Sequence, residues 1–198
     1  PDAEVVSSFI GRAKSPAPTI VVKQDQELYL SLTNVGMIMR PDLFDPHSVH
    51  WHGFVNAASV FDGVPEVSPA AAMQATQPYY YLANKAGTFF YHCHVEASEH
   101  MQMGMIGNLW VTPRQNDLPA TDLNGFAHVP GNQYVYNDGD GSTYYDVTYP
   151  VQLTTFDSEF HDASIAAQAL PFALMKDNYF MINGRGYPDT VNTSDNDL

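Results

Sequence analysis

Residues 91–105 place a cysteine thiol, three imidazoles and methionine thioethers in one short stretch of the chain. Cys93 is the only cysteine in the sequence, and a histidine lies on each side of it. Sulfur and imidazole ligands together select copper over magnesium or calcium, and two histidines, one cysteine and a weak axial methionine describe a blue-copper electron-transfer site. The stretch therefore predicts copper-based electron transfer. Residues 46–53 can supply the second histidine that such a site needs.

Strand alternation decides which of these side chains can act together. On a β-strand, residues i and i+2 lie on one face and residue i+1 lies on the other. His92 and His94 are therefore expected on one face of a strand, with Cys93 on the opposite face. His50 and His52 likewise share a face. Two such strands side by side would bring four imidazoles together, while the thiol would face a separate metal site.

The segments around these residues predict an all-β fold. Short stretches that alternate apolar with polar residues, or that are rich in β-branched and aromatic residues, lie at 19–23, 27–34, 77–83, 88–92 and 106–111. Glycine- and proline-containing turns separate them, and no convincing helical periodicity occurs before residue 115. Many short strands with such turns predict a β-sandwich or barrel.

The second half of the chain has a different composition. Residues 115–145 are rich in Asn, Asp and Gly, which predicts a linker with little core. Beyond it we predict strands at 145–155 and 179–186 and a short helix within 157–170, capped by Asp157 or Ser158. About fifty residues are too few for a second sandwich with its own core. We therefore expect a domain at 1–115, a linker at 116–144 and the start of an incomplete second domain at 145–198.

Composition narrows the possible partners. Apolar residues make up 44% of the chain and charged residues 15%, which excludes a coiled coil or a disordered tail. The formal net charge of −14 argues against nucleic acid or an anionic membrane as partner, and no long apolar run predicts a membrane span. A single cysteine cannot form an internal disulfide, so cysteine usage does not identify the compartment. Copper chemistry favours a periplasmic or extracellular location.

Together these motifs resemble the multicopper oxidases, the family of laccase- and ceruloplasmin-like proteins. His50-Trp51-His52-Gly53 resembles the family's His-x-His-Gly motif, and Ala86–His92 resembles the glycine-led strand that enters its second His-x-His. Asp62-Gly63-Val64-Pro65 resembles the acidic loop between them. Ser15–Asn34 is similar to the opening of the first domain, and Tyr179–Gly184 to the start of the second. The resemblance implies a cupredoxin-like Greek-key β-sandwich or barrel, followed by the start of a second cupredoxin domain.

The resemblance also implies type 1, type 2 and binuclear type 3 copper and a role for each matching residue. The roles carried over are type 1 ligation by His47, Cys93 and His100 with Met105 axial, type 2 ligation by His50, type 3 ligation by His52, His92 and His94, and proton delivery by Asp62 and Glu96. A reducing substrate, either a phenol or a metal ion, would give single electrons to the type 1 copper. They would pass through Cys93 to the trinuclear cluster, where O₂ is reduced to water.

The ligand loop departs from the family pattern. The family places the second type 1 histidine five residues after the cysteine, but Ser98 occupies that position and His100 follows two residues later. We interpret this as a two-residue insertion, which leaves open whether Met103 or Met105 is the axial ligand. The family's trinuclear cluster also needs more histidines than the four in motif context here. A further domain or a second subunit is expected to supply the others.

Two other functions remain open from the sequence. A copper nitrite reductase also combines type 1 and type 2 sites, but that class normally has a non-histidine residue after its cysteine, whereas His94 follows Cys93 here. The other alternative is a non-catalytic blue-copper electron-transfer domain of a larger protein. The isolated His128 and His161 are expected not to be ligands.

Overall fold

The computed structural model describes residues 4, 7–8, 14–37, 42–55 and 58–192. Their strands are β1 (Ile20–Lys23), β2 (Glu27–Thr33), β3 (His50–His52), β4 (Thr76–Leu82), β5 (Gly87–His92), β6 (Ile106–Thr112), β7 (Thr121–Leu123), β8 (Phe126–His128), β9 (Gln133–Tyr134), β10 (Tyr144–Tyr145), β11 (Leu153–Phe156), β12 (Tyr179–Ile182) and β13 (Arg185–Gly186). The helices discussed below are α1 (Ala97–Gln102) and α2 (Ser158–Ile165). Short 3₁₀ turns occur at Ser59–Phe61, Arg114–Asp117, Phe172–Leu174 and Asp189–Val191. None of the helices in the described ranges has the length and apolarity needed for a membrane crossing.

Two sheets form the first part of the chain. One has the strand order β1-β6-β5-β3, with β1 parallel to β6 and the other pairs antiparallel. The second sheet is the antiparallel pair β2-β4. The pairing of β3 with β5 places His50 directly opposite His92. This register brings the two His-x-His segments side by side.

The inner faces of the two sheets share one hydrophobic core. Trp51 from β3, Tyr81 from β4 and Leu109 from β6 are among its buried members. Alternation in β2 directs its three leucines toward this core and exposes the residues between them. The predicted half-buried strand is therefore confirmed, and burial of apolar area at the rate of about 25 cal/mol per Å² is what holds the sheets together.

Helix α1 contradicts the expectation that no helix occurs before residue 115. Ala97–Gln102 contains no β-branched residue and forms a short helix directly after Glu96, whose φ of 46° is left-handed. The helix ends at Gln102, and two residues later Gly104 has a φ of +88°, which suits a residue without a Cβ. Six residues are too few to show a helical period, which is why the sequence pattern does not reveal it.

Residues 115–145 are less irregular than a bare linker. They include the hairpin of β7 and β8 and the pairing of β9 with β10. The prediction of a single strand at 145–155 is wrong. Residues 146–152 lie outside any strand, and they separate β10, which ends at Tyr145, from β11, which begins at Leu153. Pro150 lies in this interval and lacks the N–H that a ladder requires. The domain limits proposed from the sequence stay a prediction.

The helix and the last strands predicted for the second half are confirmed. Helix α2 occupies Ser158–Ile165, and the side chain of Asp157 accepts hydrogen bonds from the N–H groups of Glu159 and Phe160. Asp157, rather than Ser158, is therefore the N-cap. Strands β11, β12 and β13 form a three-stranded antiparallel sheet, with a tight turn after Ile182.

Candidate metal centre

The Cys93 thiol lies between two histidines from distant parts of the chain. Its Sγ is 3.8 Å from Nδ1 of His47 and 3.2 Å from Nδ1 of His100. Only 4% of Cys93 is exposed. The three ligand atoms all lie within 4.8 Å of one another, close enough to converge on one ion. The residues that the sequence assigned to a blue-copper site are thus brought together.

Backbone contacts hold the His47 and Cys93 segments in place. His47 pairs with Ala71 through two backbone hydrogen bonds of 3.1 and 2.7 Å. The N–H of Cys93 donates to the carbonyl of Met105 at 3.1 Å, which closes the ligand loop at its base. The N–H of Ser48 points at the Cys93 sulfur at 3.4 Å. The geometry of the group is therefore set by the β-framework as well as by the ligand side chains.

Met105 is better placed than Met103 for the axial position. Met105, His47 and Cys93 line a common, mainly apolar cavity of about 350 Å³. Met103 is not among the described residues that line it. The backbone hydrogen bond from Cys93 to Met105 places the backbones of these two residues side by side. These contacts support Met105 as the weak axial ligand that the family pattern implies.

The protonation of Cys93 and His100 is coupled. Burial alone would raise the pKa of the Cys93 thiol, but hydrogen bonds from His100 and His47, together with the Ser48 N–H, lower it to about 6. Burial works against a charge on His100, yet its hydrogen bond to Cys93 and the nearby Asp45 raise its pKa. The thiolate form is the one that binds a metal, so the site is prepared for an incoming cation.

Asp45 is a site residue that the sequence did not identify. One of its carboxylate oxygens is 3.0 Å from Nε2 of His100, and the other is 3.6 Å from Nε2 of His47. An acceptor on Nε2 keeps a proton there, so that Nδ1 is free to bind a metal once it has lost the proton that it shares with the Cys93 thiolate. The amide of Asn34 donates to the Asp45 carbonyl at 2.7 Å and holds this segment in place. The only sequence signal is the position of Asp45, two residues before His47.

Glu96, predicted to deliver protons to the trinuclear cluster, lies beside His100 of the Cys93 group. A carboxylate oxygen of Glu96, a carboxylate oxygen of Asp45 and a ring nitrogen of His100 all lie within 4.8 Å of one another. Burial raises the pKa of Glu96, and a hydrogen bond with Glu99 adds to the rise. Asp62, the other predicted acid, lies instead beside His50, with its carboxylate 3.5 Å from Nδ1 of that ring. The two acids are therefore associated with different groups of histidines.

Four imidazoles gather near the end of β5, on the side of the backbone away from the Cys93 thiol. The ring of His50 is 5.0 Å from those of His52 and His94, and 5.5 Å from that of His92, between ring centroids. Nε2 of His52 lies only 2.9 Å from Nε2 of His92. His128 and His161 lie elsewhere, the first against the Leu118 carbonyl and the second against the Phe156 ring.

Hydrogen bonds on the outer nitrogens orient this histidine group. Nδ1 of His50 contacts the Asp62 carbonyl at 2.7 Å, and Nδ1 of His92 contacts the Cys93 carbonyl at 2.7 Å. A carbonyl can only accept, so each Nδ1 carries the proton and each Nε2 lone pair faces the group. Burial lowers the pKa of both His52 and His92, and the neighbouring imidazoles lower it further. Neutral imidazoles with converging lone pairs are metal ligands.

Comparison with known proteins agrees with this geometry. A family model described as multicopper oxidase matches residues 5–116, more than half of the chain. The chain belongs to the multicopper oxidase family. Membership of this family implies copper as the cofactor.

The matched region is a larger share of this chain than of each relative's length. Laccase-1 of Emericella nidulans is 26% identical over 178 residues, which is 86% of this chain and 26% of that protein. Multicopper oxidase aurL2 of Gibberella zeae is 35% identical over 94 residues, 45% of this chain and 14% of that protein. The chain spans about a quarter or less of the length of the curated relatives it matches.

Solved structures confirm the cupredoxin-like all-β fold. The multicopper oxidase mgLAC superposes with a TM-score of 0.63 at 25% identity, covering 89% of this chain and 47% of that one. A blue copper oxidase from Nitrosomonas europaea gives 0.62 at 26% identity, covering 89% and 46%. The predicted fold class is confirmed, and this chain corresponds to about half of each of those chains.

Proposed function

We propose that this multicopper oxidase chain provides a type 1 copper site and half of a trinuclear copper cluster. The whole protein would take single electrons from a reducing substrate and use them to reduce O₂ to water. One observation supports this most strongly. The Cys93 thiol faces His47 and His100, while the histidines on both sides of Cys93 contact the ring of His50. A single covalent segment thus joins the two candidate sites.

The donor sets fit the copper types that the family uses. A buried thiol with two Nδ1 atoms and a nearby thioether suits type 1 copper, with His47, Cys93, His100 and Met105 as ligands. The converging imidazoles suit type 2 copper at His50 and type 3 copper at His52, His92 and His94. When bound, these ions supply one-electron redox chemistry and the reduction of O₂.

The remaining side chains hold ligands and protons in place. Asp45 keeps the proton on Nε2 of His100, so Nδ1 remains a ligand. At the other site the Asp62 carbonyl keeps the proton on Nδ1 of His50, so Nε2 remains a ligand. The Asp62 carboxylate stands next to that ring and is the better placed of the two predicted acids to supply protons near the histidine group. Glu96 would act at the edge of the type 1 site.

The rest of the trinuclear cluster must come from elsewhere. His52 is an exposed residue, and His50 and His94 are only half-buried. The histidine group is therefore accessible from one side, as a half-site would be. We propose that a further domain or a second subunit approaches this side and contributes the other imidazoles. The same proposal places the protein in the periplasm or outside the cell and gives it no nucleic-acid partner, consistent with its charge of −14.

Copper nitrite reduction is the second candidate function. A copper nitrite reductase from Nitrosomonas europaea superposes with a TM-score of 0.53 at 19% identity, which shows the shared fold alone. The convergence of four histidines beside Cys93 favours O₂ instead, because a mononuclear type 2 site does not need them all. Whether phenols or metal ions provide the electrons is a question for substrate assays.

Copper counting and acceptor assays test the proposal together. The copper-loaded protein should bind more than one copper per functional unit and consume O₂ with phenolic or metal-ion reductants, but should not reduce nitrite. A maximum of one copper, or nitrite reduction without O₂ consumption, would reject the oxidase assignment. A blue chromophore with no turnover of either acceptor would identify an electron-transfer domain.

A further inference from the structure

We propose that the segment 153–184 positions the type 1 ligand loop, with Gln102 and Ser164 as positioning residues for His100. This inference rests on the proposed role of the Cys93 group as the type 1 site. It gives a purpose to the two extra residues between Cys93 and His100. These residues allow the loop to form helix α1, and α1 is attached to the second half of the chain.

The conformation of α1 depends on contacts outside itself. A helix of six residues is not stable on its own in water, because the cost of nucleation exceeds the few hydrogen bonds it closes. Glu99 and Gln102 lie three residues apart and therefore share one face of the helix. His100 points about 100° away from Glu99, into the buried copper site. The helix can thus be held on one face while it presents its ligand from another.

Hydrogen bonds join that outer face to the second half of the chain. The Gln102 amide accepts from the N–H of Asp157 at 3.1 Å and donates to the carboxylate of Asp177 at 3.1 Å. The Glu99 carboxylate accepts from the Ser164 hydroxyl at 2.7 Å. Three residues of the second half therefore fix both ends of α1. The contact begins one residue before His100 and ends two residues after it.

Asp157 is a rigid attachment point. Only 5% of the residue is exposed. Its carboxylate caps α2 and also accepts from the N–H of Lys176 at 2.7 Å, so its position is determined by three backbone groups. Its own N–H remains for Gln102. Asp157 thereby fixes the position of Gln102, and Gln102 in turn fixes the position of α1.

A close backbone approach adds a second link at the end of the loop. Ser15 lies between Gly104, which directly precedes Met105, and Gly184 in the turn after β12. A Cβ added at Gly104 would stand 2.7 Å from the Ser15 Cβ, and one added at Gly184 would stand 1.7 Å from the Ser15 carbonyl oxygen. Both positions therefore require glycine. The second segment thus reaches the C-terminal end of the ligand loop indirectly, through Ser15.

The direct contacts are few, which makes them testable one at a time. A cavity of about 710 Å³ lies between α1 and the sheet of β11, β12 and β13, lined by Met101 on one side and Phe180 and Met181 on the other. This open space limits apolar packing between α1 and the sheet. The side-chain hydrogen bonds of Gln102 and Ser164, together with a hydrogen bond between His161 and the Gln102 backbone, restrain the outer face of α1.

Three variants and one control separate positioning from general stability. Gln102→Ala removes two hydrogen bonds, Ser164→Ala removes one from the distant side, and Ser164→Thr retains the hydroxyl. The exposed Gln168→Ala makes the same chemical change as the first variant, without a side-chain contact to α1. The readouts are hydrogen exchange of the α1 amides in the metal-free protein, copper affinity of the Cys93 group and its reduction potential.

We expect Gln102→Ala and Ser164→Ala to accelerate exchange in α1 and to weaken copper binding, by about tenfold for the first. Both should shift the reduction potential, Ser164→Thr should restore the original values, and Gln168→Ala should change nothing. Unchanged α1 exchange and copper affinity in folded Gln102→Ala, or equal effects in Gln168→Ala, would overturn the inference. Failure of the unmodified protein to bind copper at Cys93 would instead reject the proposed function on which it rests.

Discussion

The metal-free protein should contain a Cys93 thiolate at neutral pH. The ordinary pKa of this thiol is 9.0; burial would raise it, but the hydrogen bonds from His100 and His47 and from the Ser48 N–H lower it to about 6. A depression of three pH units corresponds to roughly 4 kcal/mol in favour of the thiolate. Replacing His100 by alanine removes the shortest of the two imidazole contacts, 3.2 Å from the sulfur. The pKa should then rise well above 6.

The rate of thiol alkylation against pH measures this directly. The rate should reach half its maximum near pH 6 in the metal-free protein, and at a clearly higher pH in His100→Ala. A midpoint near 9 in the unmodified protein, or no change in the variant, would refute the reasoning. Gln168→Ala, at an exposed position, serves as the control and should leave the midpoint unchanged.

The pH dependence of the unfolding free energy would report the pKa changes of Cys93 and His100 less clearly than alkylation does. The stability that comes from the lowered thiol pKa is fully present above pH 9 and is lost as the pH falls through about 6. The raised pKa of His100 acts in the opposite sense, giving stability that is complete below about pH 6.5 and is lost as the pH rises through the folded value. Where the windows overlap, the folded pair and the unfolded pair bind equal numbers of protons. The two contributions then cancel in the slope of stability against pH.

Three further predictions concern other parts of the molecule. Asp45→Asn should weaken copper binding at the Cys93 group by roughly 10–100-fold, measured by competitive chelation, because the carboxylate orients both imidazoles; unaltered affinity would dismiss this role. Met105→Leu, but not Met103→Leu, should shift the visible copper absorption band, and the reverse result would identify Met103 as axial. Leu109→Ala should lower the unfolding free energy by about 2–5 kcal/mol in urea titrations. The 73% exposed Leu153→Ala should change it by less than about 0.5, and similar losses in both would contradict the core assignment.

The central arrangement of the site follows from strand alternation, which is why the sequence was informative about it. Extended backbone places Cys93 and its neighbouring histidines on opposite faces, and they keep this arrangement although β5 ends at His92. The pairing of His50 with His92 then needed only that the two His-x-His strands be adjacent. The alternating leucines of β2 likewise predicted which face meets the core. These features depend on local backbone geometry, and local geometry is encoded in short stretches of sequence.

Features that depend on long-range contacts were not predictable in this way. Helix α1 is stabilised by Gln102 and Glu99 reaching residues more than fifty positions away, so no local pattern announces it. Asp45 is an ordinary acidic residue until the fold places it against the His100 ring. The location of Glu96 beside His100 has the same origin, because its αL backbone directs the chain into α1 rather than along the strand.

A copper titration that follows the visible thiolate-to-copper absorption band tests the central claim most directly. One copper per chain should saturate an intense band, Cys93→Ser should abolish it, and His50→Ala should leave it intact while lowering the total copper bound. Further copper should bind at the histidine group without adding to the band. A protein that binds copper with no thiolate band, or a band that survives in Cys93→Ser, would contradict the assignment of two copper sites joined through Cys93.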